Sequence, residues 1–345
     1  MFSPSYIISN KILSHISKIE AAEEVIKHSA LLPLWEKQFQ EDAIIRSAYH
    51  GTHIEGNQLG KDESKNILLG REIIGRPRDI QEVINYRKVI EYIDEEAKKN
   101  IDKISEPVIQ KLHKLIVDKI LPSDQSGEYR LKQVVVRNSQ SGEITFRPPP
   151  PMEVAFLMRE YIYWLNKEND IHPFIKAGIA HHELVRIHPF IDGNGRVARV
   201  LATLILFLGG YDIRRFFSLE EYYDKDAVIY YEHLQKASAG DLTTWLEYFT
   251  LGASIEFDRV KEKILKLSKD VKLKKQFGGQ QIYLTERQMK IMEYIQEVGY
   301  VQNQSFSTVF SDISEDTVLR DIQDLIKKGI IKKIGSTKAA RYVMT

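Results

Sequence analysis

Residues 188–199 read His-Pro-Phe-Ile-Asp-Gly-Asn-Gly-Arg-Val-Ala-Arg. This stretch combines a proton acceptor, a carboxylate, a glycine-containing turn and two arginines. His188 has the only side chain here whose ordinary pKa lies near neutrality, so it is the candidate base. Asp192 offers an oxygen ligand of the kind that Mg²⁺ prefers.

The middle of the stretch predicts an anion-binding turn. Gly193, Asn194 and Gly195 favour backbone angles in which successive amides point inward as a nest. The apolar run 197–208 predicts a helix, so the nest opens onto a helix N-terminus, where phosphate binds readily. Arg196 and Arg199 lie three residues apart and project from one helix face. This order of groups suits phosphoryl or nucleotidyl transfer.

The composition indicates a globular chain with a sizeable core. The 345 residues are 43% hydrophobic and 28% charged, with a net charge of +1 and no cysteine. Lack of cysteine excludes disulfides and thiolate metal sites and fits a reducing cytoplasm, so a cytoplasmic location is expected. The N-terminus lacks the pattern of a signal peptide. The apolar run 200–208 is far shorter than the ~20 residues that span a membrane, so no membrane partner is expected.

The stretch 188–199 matches H-P-F-x-D-G-N-G-R-x-x-R, the signature of the Fic family, at every specified position. The resemblance implies ATP and Mg²⁺ as cofactors and transfer of AMP onto a Ser, Thr or Tyr hydroxyl of a protein. By the same resemblance His188 takes the hydroxyl proton, Asp192 holds Mg²⁺ and Arg199 grips the γ-phosphate. The other nucleotide contacts that it implies are Val185, Gly193, Asn194, Gly195, Arg196, Tyr230 and Tyr231. It also implies that His181 orders the catalytic loop through hydrogen bonds.

Residues 51–57, Gly-Thr-His-Ile-Glu-Gly-Asn, follow a predicted helix over 34–49. An acid before Gly and Asn is ordinarily a solvated residue at a capped helix end. The segment is also similar to the inhibitory motif S/T-x-x-x-E-G/N of the Fic family, whose Glu pairs with the second arginine of the signature. That similarity implies that Glu55 inhibits by pairing with Arg199. Gly51 departs from the motif, which has Ser or Thr there.

Short β-branched runs at 134–136 and 144–146 flank a polar turn at 138–142 and predict a hairpin. It resembles the flap of Fic proteins, which pairs with a target segment by strand addition. A protein substrate is therefore expected along residues 134–147, with an ordinary surface hairpin as the alternative. The prolines at 148–151 fix an extended segment beside it.

The last part of the chain predicts a small separate domain. Thr285 and Gln288 form a capping box for a helix through 297, a short helix follows at 306–310, and Ser314 precedes a third helix that stops at Gly329. Two apolar runs around 335–337 predict a hairpin. This order resembles a winged helix-turn-helix. Glu315 and Asp316 would repel DNA, whereas lysines surround the wing, so DNA binding and protein docking both stay open.

These patterns predict a mainly α fold: a Fic-type helical domain with a β-hairpin flap, and a small C-terminal winged helix-turn-helix. The expected regions are an N-terminal helical region (1–100), the Fic core (101–260), a basic helix and linker (261–282) and the winged helix (283–345). Two alternatives remain for the function: removal of AMP from a modified protein at the same site, and a DNA-binding regulator with a nucleotide-sensing Fic part. The oligomeric state stays open, with a homodimer among the arrangements.

Overall fold

The computed structural model describes residues 2–29, 33–99, 101, 103–137, 144–167, 170–211, 216–276, 284–306, 310, 314–335 and 340–345. The chain divides into two compact units. The first takes in residues 1–28 and 32–262, and the second takes in residues 29–31 and 263–345. Among the described residues, no helix is both long enough and apolar enough to cross a lipid bilayer.

The first unit is helical, as predicted. Its helices are α1 (Asn10–His28), α2 (Pro33–His53), α3 (Lys61–Leu68), α4 (Pro77–Lys98), α5 (Glu106–Ile116), α6 (Pro151–Asn166), α7 (Pro173–Ile187), α8 (Asn194–Leu208), α9 (Glu220–Lys225), α10 (Ala227–Ala237) and α11 (Thr243–Gln276). The unit division falls within α11. Strands β1 (Val136–Arg137) and β2 (Ile144–Phe146) pair antiparallel.

Helix α8 is central to the first unit and packs against α7, α4, α5 and α2. Its apolar residues Val197, Leu201 and Leu204 are fully buried. Burying a side chain of that size contributes about 1.5–3 kcal/mol, so α8 is a fixed support for the groups at its N-terminus. The helix begins at Asn194 rather than at the predicted 197, which brings Gly195 and Arg196 into its first turn.

Helix α2 runs to His53, four residues beyond the predicted end. Gly51 therefore lies inside the helix and Glu55 lies in the turn that follows it. The predicted flap forms only partly. Val136 pairs with Phe146, whereas residues 134–135 are not in a strand, and the predicted turn at 138–142 lies outside the described residues.

The second unit contains helix α12 (Glu286–Val298), strand β3 (Val301–Gln302), helix α13 (Glu315–Lys327) and strands β4 (Ile331–Ile334) and β5 (Arg341–Met344). The strands form an antiparallel sheet in the order β3-β5-β4, of which β3 was not predicted. The predicted capping box is present, with the Gln288 N–H donating to Thr285 Oγ1 at 3.2 Å. Ser314 precedes α13 as predicted but makes no side-chain cap, because its hydroxyl bonds Thr317 Oγ1 at 2.8 Å. The predicted helix at 306–310 lies mostly outside the described residues.

Candidate active site

The turn between α7 and α8 begins with His188, which ends α7 in the left-handed conformation with φ of 52°. That conformation is uncommon for a residue with a side chain and is frequent at functional sites. Its Nδ1 lies 3.2 Å from the carbonyl oxygen of Val185. Because a carbonyl only accepts, Nδ1 carries the proton and Nε2 keeps a lone pair. Burial, with the charge of Arg130, lowers the pKa of His188, so the ring is neutral at neutral pH.

Gly193 turns the chain into α8. Its φ is 79°, and a Cβ there would lie 3.3 Å from side-chain atoms of Ile116 and Val117. The Asn194 side chain closes the turn by accepting from the Phe190 N–H and donating to the Phe190 oxygen, both at 2.9 Å. Asn194 therefore uses its side chain within the loop. The first backbone amides of α8 have no acceptor inside the helix, so they can bind an anion.

Arg130 fixes the loop from the segment before the flap. Its Nε donates to the His188 oxygen at 2.7 Å, and its Nη2 donates to the Pro149 oxygen at 2.6 Å. Its own N–H donates to the Pro189 oxygen at 2.9 Å. Arg130 is buried. It therefore positions the base without being placed to act on a substrate.

His113 on α5 fixes the other end of the loop. Its ring stacks on Phe190 at 3.8 Å. The Gly127 N–H donates to its Nδ1 at 2.9 Å, so the proton is on Nε2. Nε2 donates to the backbone carbonyl oxygen of Asp192 at 3.1 Å. Burial lowers the pKa of His113 to about 4, which keeps this tautomer neutral. Neither His113 nor Arg130 could be predicted as a site residue, because nothing in their local sequence marks them.

Glu55 and Arg199 come together as the motif similarity implies. Glu55 Oε1 accepts from Arg199 Nη2 at 2.7 Å, and the same nitrogen donates to the Gly51 oxygen at 2.9 Å. A Cβ on Gly195 would lie 2.4 Å from Glu55 Oε1. The carboxylate thus lies directly over the first turn of α8. It takes the place that an anion bound by these amides would need.

The glycine at position 51 has a packing explanation. A Cβ there would lie 2.4 Å from the ring of Tyr86, so a Ser or Thr side chain has no room. Tyr86 is held by a hydrogen bond from its hydroxyl to Glu220 Oε1 at 3.0 Å. Thr52 does not replace the missing hydroxyl, because its Oγ1 donates to the Ala48 oxygen within α2.

Asp192 is surrounded by donors. Its Oδ1 accepts from the Gly193 N–H at 2.6 Å and lies 3.3 Å from Arg196 Nη2, and its Oδ2 accepts from Arg78 Nη2 at 2.7 Å. Although burial opposes it, the charges of Arg196 and Arg78 hold the pKa of Asp192 below its ordinary value, so the group is ionised. Within the described residues no group of three or more His, Cys, Asp or Glu is placed to hold a metal.

Arg196 is buried, and its Nη1 lies 3.2 Å from Glu82 Oε1 on α4. Its predicted contact with phosphate stays a prediction, because its guanidinium is enclosed by Asp192 and Glu82. Arg199 is buried too, and in both arginines Nε and Nη1 have no hydrogen-bond partner among the described residues. The two arginines of the signature differ in the carboxylates beside them, which are Asp192 and Glu82 for Arg196 and Glu55 for Arg199.

Of the two tyrosines predicted to contact the nucleotide, Tyr230 is buried and Tyr231 is half exposed. The Tyr231 hydroxyl lies 3.3 Å from the Ile54 oxygen, next to Glu55. The hydrogen bonds expected from His181 to the catalytic loop are not formed among the described residues: its Nε2 pairs with the Tyr230 hydroxyl at 2.9 Å, and its Nδ1 has no partner. Burial lowers the pKa of His181 well below its ordinary value, so it is neutral.

Each of the two units contains a segment that matches a known protein family. Residues 103–206 match the family model described as Fic/DOC family, and residues 287–336 match the DeoR-like helix-turn-helix domain. The curated "Protein adenylyltransferase Fic" of Drosophila grimshawi is 30% identical over 205 residues, which cover 58% of this chain and 40% of the relative. That of Aedes aegypti is 31% identical over 216 residues, covering 61% and 40%. The chain spans about two fifths of the length of these curated relatives.

Solved structures share the fold. A Fic family protein from Desulfovibrio desulfuricans G20 aligns with a TM-score of 0.67 over 100% of this chain and 98% of its own, at 22% identity. At that identity the likeness is one of fold. Fic-1 from C. elegans aligns with a TM-score of 0.62 at 26% identity, over 74% of this chain and 73% of its own.

Proposed function

Because this chain carries a Fic domain over residues 103–206 and a DeoR-like helix-turn-helix domain over residues 287–336, we propose that it transfers AMP from ATP to a Ser, Thr or Tyr hydroxyl of a protein. The observation that carries the proposal is the start of α8. There a neutral histidine whose Nε2 keeps a lone pair precedes a helix N-terminus that, once Glu55 is displaced, presents its amides and the Arg199 guanidinium to an anion.

His188 is the base of the proposed reaction. Its Nε2 accepts the proton of the target hydroxyl, whose oxygen attacks the α-phosphorus of ATP. The new oxygen–phosphorus bond forms as the bond to the bridging oxygen of the β-phosphate breaks, and pyrophosphate leaves. The amides of Gly195 and its neighbours stabilise the charge on the phosphate oxygens, and Arg199 holds the γ-phosphate.

Asp192 is the residue that would hold Mg²⁺. Mg²⁺ commonly takes one or two protein carboxylates and completes its shell with substrate phosphates and water. A single ionised carboxylate beside a phosphate-binding turn fits a cation that arrives with the nucleotide. When bound, Mg²⁺ would neutralise charge on the phosphates during transfer. Gly193 supports this role because its N–H orients the Asp192 carboxylate through Oδ1.

Glu55 is proposed to inhibit this reaction. It accepts a hydrogen bond from Arg199 and lies over Gly195. The guanidinium is therefore not available to the γ-phosphate, and the carboxylate repels that phosphate. The side chain of Glu55 is one quarter exposed and extends from a turn, which allows it to leave without moving α8. The same carboxylate would suit a water-orienting role in AMP removal, which is the second candidate activity.

The direct test uses ATP labelled either at the α-phosphate or at the γ-phosphate, with purified protein and a cell lysate. AMP transfer puts the α-label, and no γ-label, on protein. Label from the γ-phosphate would show phosphorylation. Label from neither, with Glu55→Gly as well as with wild type, would contradict transfer. Release of AMP from α-labelled protein after ATP is removed would support the second activity, with Glu55→Gln as the control that should slow it.

We also propose DNA binding for residues 287–336, a candidate function that their match to a helix-turn-helix domain supports. Strand β4 presents Lys332 and Lys333 to solvent, and Arg320 is exposed on α13. These cations would bind phosphates without reading sequence. A mobility-shift titration of the whole chain with a random duplex at low salt tests it; no shift would favour protein docking.

A further inference from the structure

Arg78, in the first turn of α4, binds the Oδ2 oxygen of the Asp192 carboxylate. Its Nη2 donates to Asp192 Oδ2 at 2.7 Å, and its Nε donates to Glu82 Oε1 at 3.1 Å. The sequence separation between Arg78 and Asp192 is 114 residues, and no motif marks Arg78. It is therefore a contact that only the fold creates.

Glu82 ties this contact to the inhibitory segment. Its Oε1 also lies 3.2 Å from Arg196 Nη1, and its Oε2 accepts from Asn57 Nδ2 at 3.0 Å. Asn57 is two residues beyond Glu55. A continuous set of polar contacts thus joins the turn that carries Glu55, the start of α4 and the loop that carries Asp192.

The two oxygens of Asp192 differ in what holds them. The partners of Oδ1 are the Gly193 amide and Arg196, which is buried and cannot leave without exposing the core. The partner of Oδ2 is Arg78, whose side chain is 58% exposed. A guanidinium that is already near water can move away at small cost, since it is hydrated as it leaves. Oδ2 is thus the oxygen that can be freed.

We propose that Arg78 closes Asp192 against a divalent cation in the resting protein, as a second inhibitory contact beside that of Glu55 with Arg199. The inference rests on the proposed function, in which Asp192 serves a cation that arrives with ATP. A guanidinium and a divalent cation compete for the same carboxylate oxygen, because both need its lone pairs and each repels the other. Arg78 must therefore withdraw before the cation binds.

The resting protein would then be inhibited by two contacts at once. Glu55 blocks the anion position over Gly195, and Arg78 blocks the cation position on Asp192. Because Asn57 and Glu82 connect the two, displacement of the turn at 55–57 would loosen both contacts together. A nucleotide with its cation would then meet an open site.

The test measures Mn²⁺, not activity. Free Mn²⁺ is followed by its electron paramagnetic resonance signal during titration of the whole chain in the presence of a non-transferable ATP analogue. Arg78→Met is expected to bind Mn²⁺ about fivefold tighter than wild type, the upper end for an exposed ion pair. Arg87→Met is the matched control. Arg87 also lies on α4, is about half exposed and pairs with Glu91, so it should leave the titration unchanged.

Asp192→Asn supplies the specificity control, because the gain should vanish in the Arg78→Met/Asp192→Asn double variant. Equal or weaker Mn²⁺ binding by Arg78→Met would overturn the role of Arg78. A gain that survives in the double variant would overturn it too, since the effect would not pass through Asp192. Failure of the wild type and of Arg78→Met alike to bind Mn²⁺ with the analogue would instead overturn the proposed function, on which the inference rests.

Discussion

The starts of α8 and α13 form an instructive contrast. Both are helix N-termini, and both carry partial positive charge from the backbone. Helix α8 has no acid in its first turn, whereas α13 begins with Glu315 and Asp316, both exposed. The acids of α13 belong to the helix itself. The acid that lies over α8, Glu55, comes from a turn 144 residues away from Arg199 in sequence.

The difference separates a permanent compensation from a removable one. Glu315 and Asp316 are part of the first turn of α13 and stay there in every conformation of the rest of the chain. The start of α13 therefore does not offer an anion site. Glu55 can be displaced, and the first amides of α8 and the Arg199 guanidinium would then face a phosphate. A helix start becomes a binding site where the chain leaves it uncompensated by its own residues.

The largest expected effect separates the anion site of α8 from the base beside it. His188→Ala removes Nε2 and none of the amides of α8, so nucleotide binding should persist while transfer falls by about 10²–10⁴-fold. Calorimetry with an ATP analogue and α-label incorporation on one sample measure both. Retained transfer above a few per cent of wild type would contradict the assignment of His188.

The next prediction removes the acid over α8. Glu55→Gly frees Arg199 and deletes a negative charge above Gly195, so transfer should rise. A charge-assisted hydrogen bond contributes about 1.5–3 kcal/mol, which corresponds to roughly one to two decades in rate. Incorporation of α-label measures it. Arg199→Ala breaks the same pair but also removes the group that holds phosphate, so it should not share the gain. If Glu55→Gly is no faster than wild type, Glu55 is not the inhibitor.

What the sequence could predict at α8 was the local part. Residues 188–199 lie together in the chain, and their composition already indicates a base, a turn and an anion site. The start of α8 was placed three residues late, because apolar spacing begins at Val197 whereas the helix begins as soon as Gly193 has turned the chain. The mainly α class and the C-terminal helices followed from apolar periodicity in the same local way.

What the sequence could not predict was supplied by distant segments. Arg78, His113 and Arg130 sit in ordinary helical or loop sequence and acquire their roles only because α4, α5 and the segment before the flap pack around the loop. The reason that Gly51 departs from the motif is also distant in sequence, because the ring of Tyr86 fills the space that a Ser or Thr side chain would need. The hydrogen bond between His181 and Tyr230 could not be predicted either, because it joins two helices and nothing in the sequence near His181 indicates its partner.

A pH dependence should belong to the α8 end alone. Burial lowers the pKa of His188 below its ordinary 6.5, and the base must be neutral, so kcat/KM should fall only as pH drops through that lowered pKa. The acid limb is therefore expected below 6.5. The pKa of Asp192 is also lowered, so this carboxylate stays ionised through the same range. Rates of α-label transfer between pH 5 and 8 measure the limb. A limb at or above 6.5 would contradict the buried, neutral form.

The smallest expected effect tests the α13 side of the contrast. If the C-terminal domain binds DNA, Glu315→Gln/Asp316→Asn should tighten binding of the whole chain to a random duplex by about three- to thirtyfold. That range takes roughly 0.3–1 kcal/mol for each charge near the helix start. Lys332→Gln/Lys333→Gln, which removes two exposed charges of β4, should do the opposite and make the salt dependence shallower by about 1.8 in log–log slope. Mobility-shift titrations at several salt concentrations compare the three proteins. Unchanged binding by the α13 variant, with weaker binding by the lysine variant, would mean that DNA meets the wing and not the start of α13. The acids there would then serve the helix only, and the contrast with α8 would hold for compensation but not for DNA repulsion.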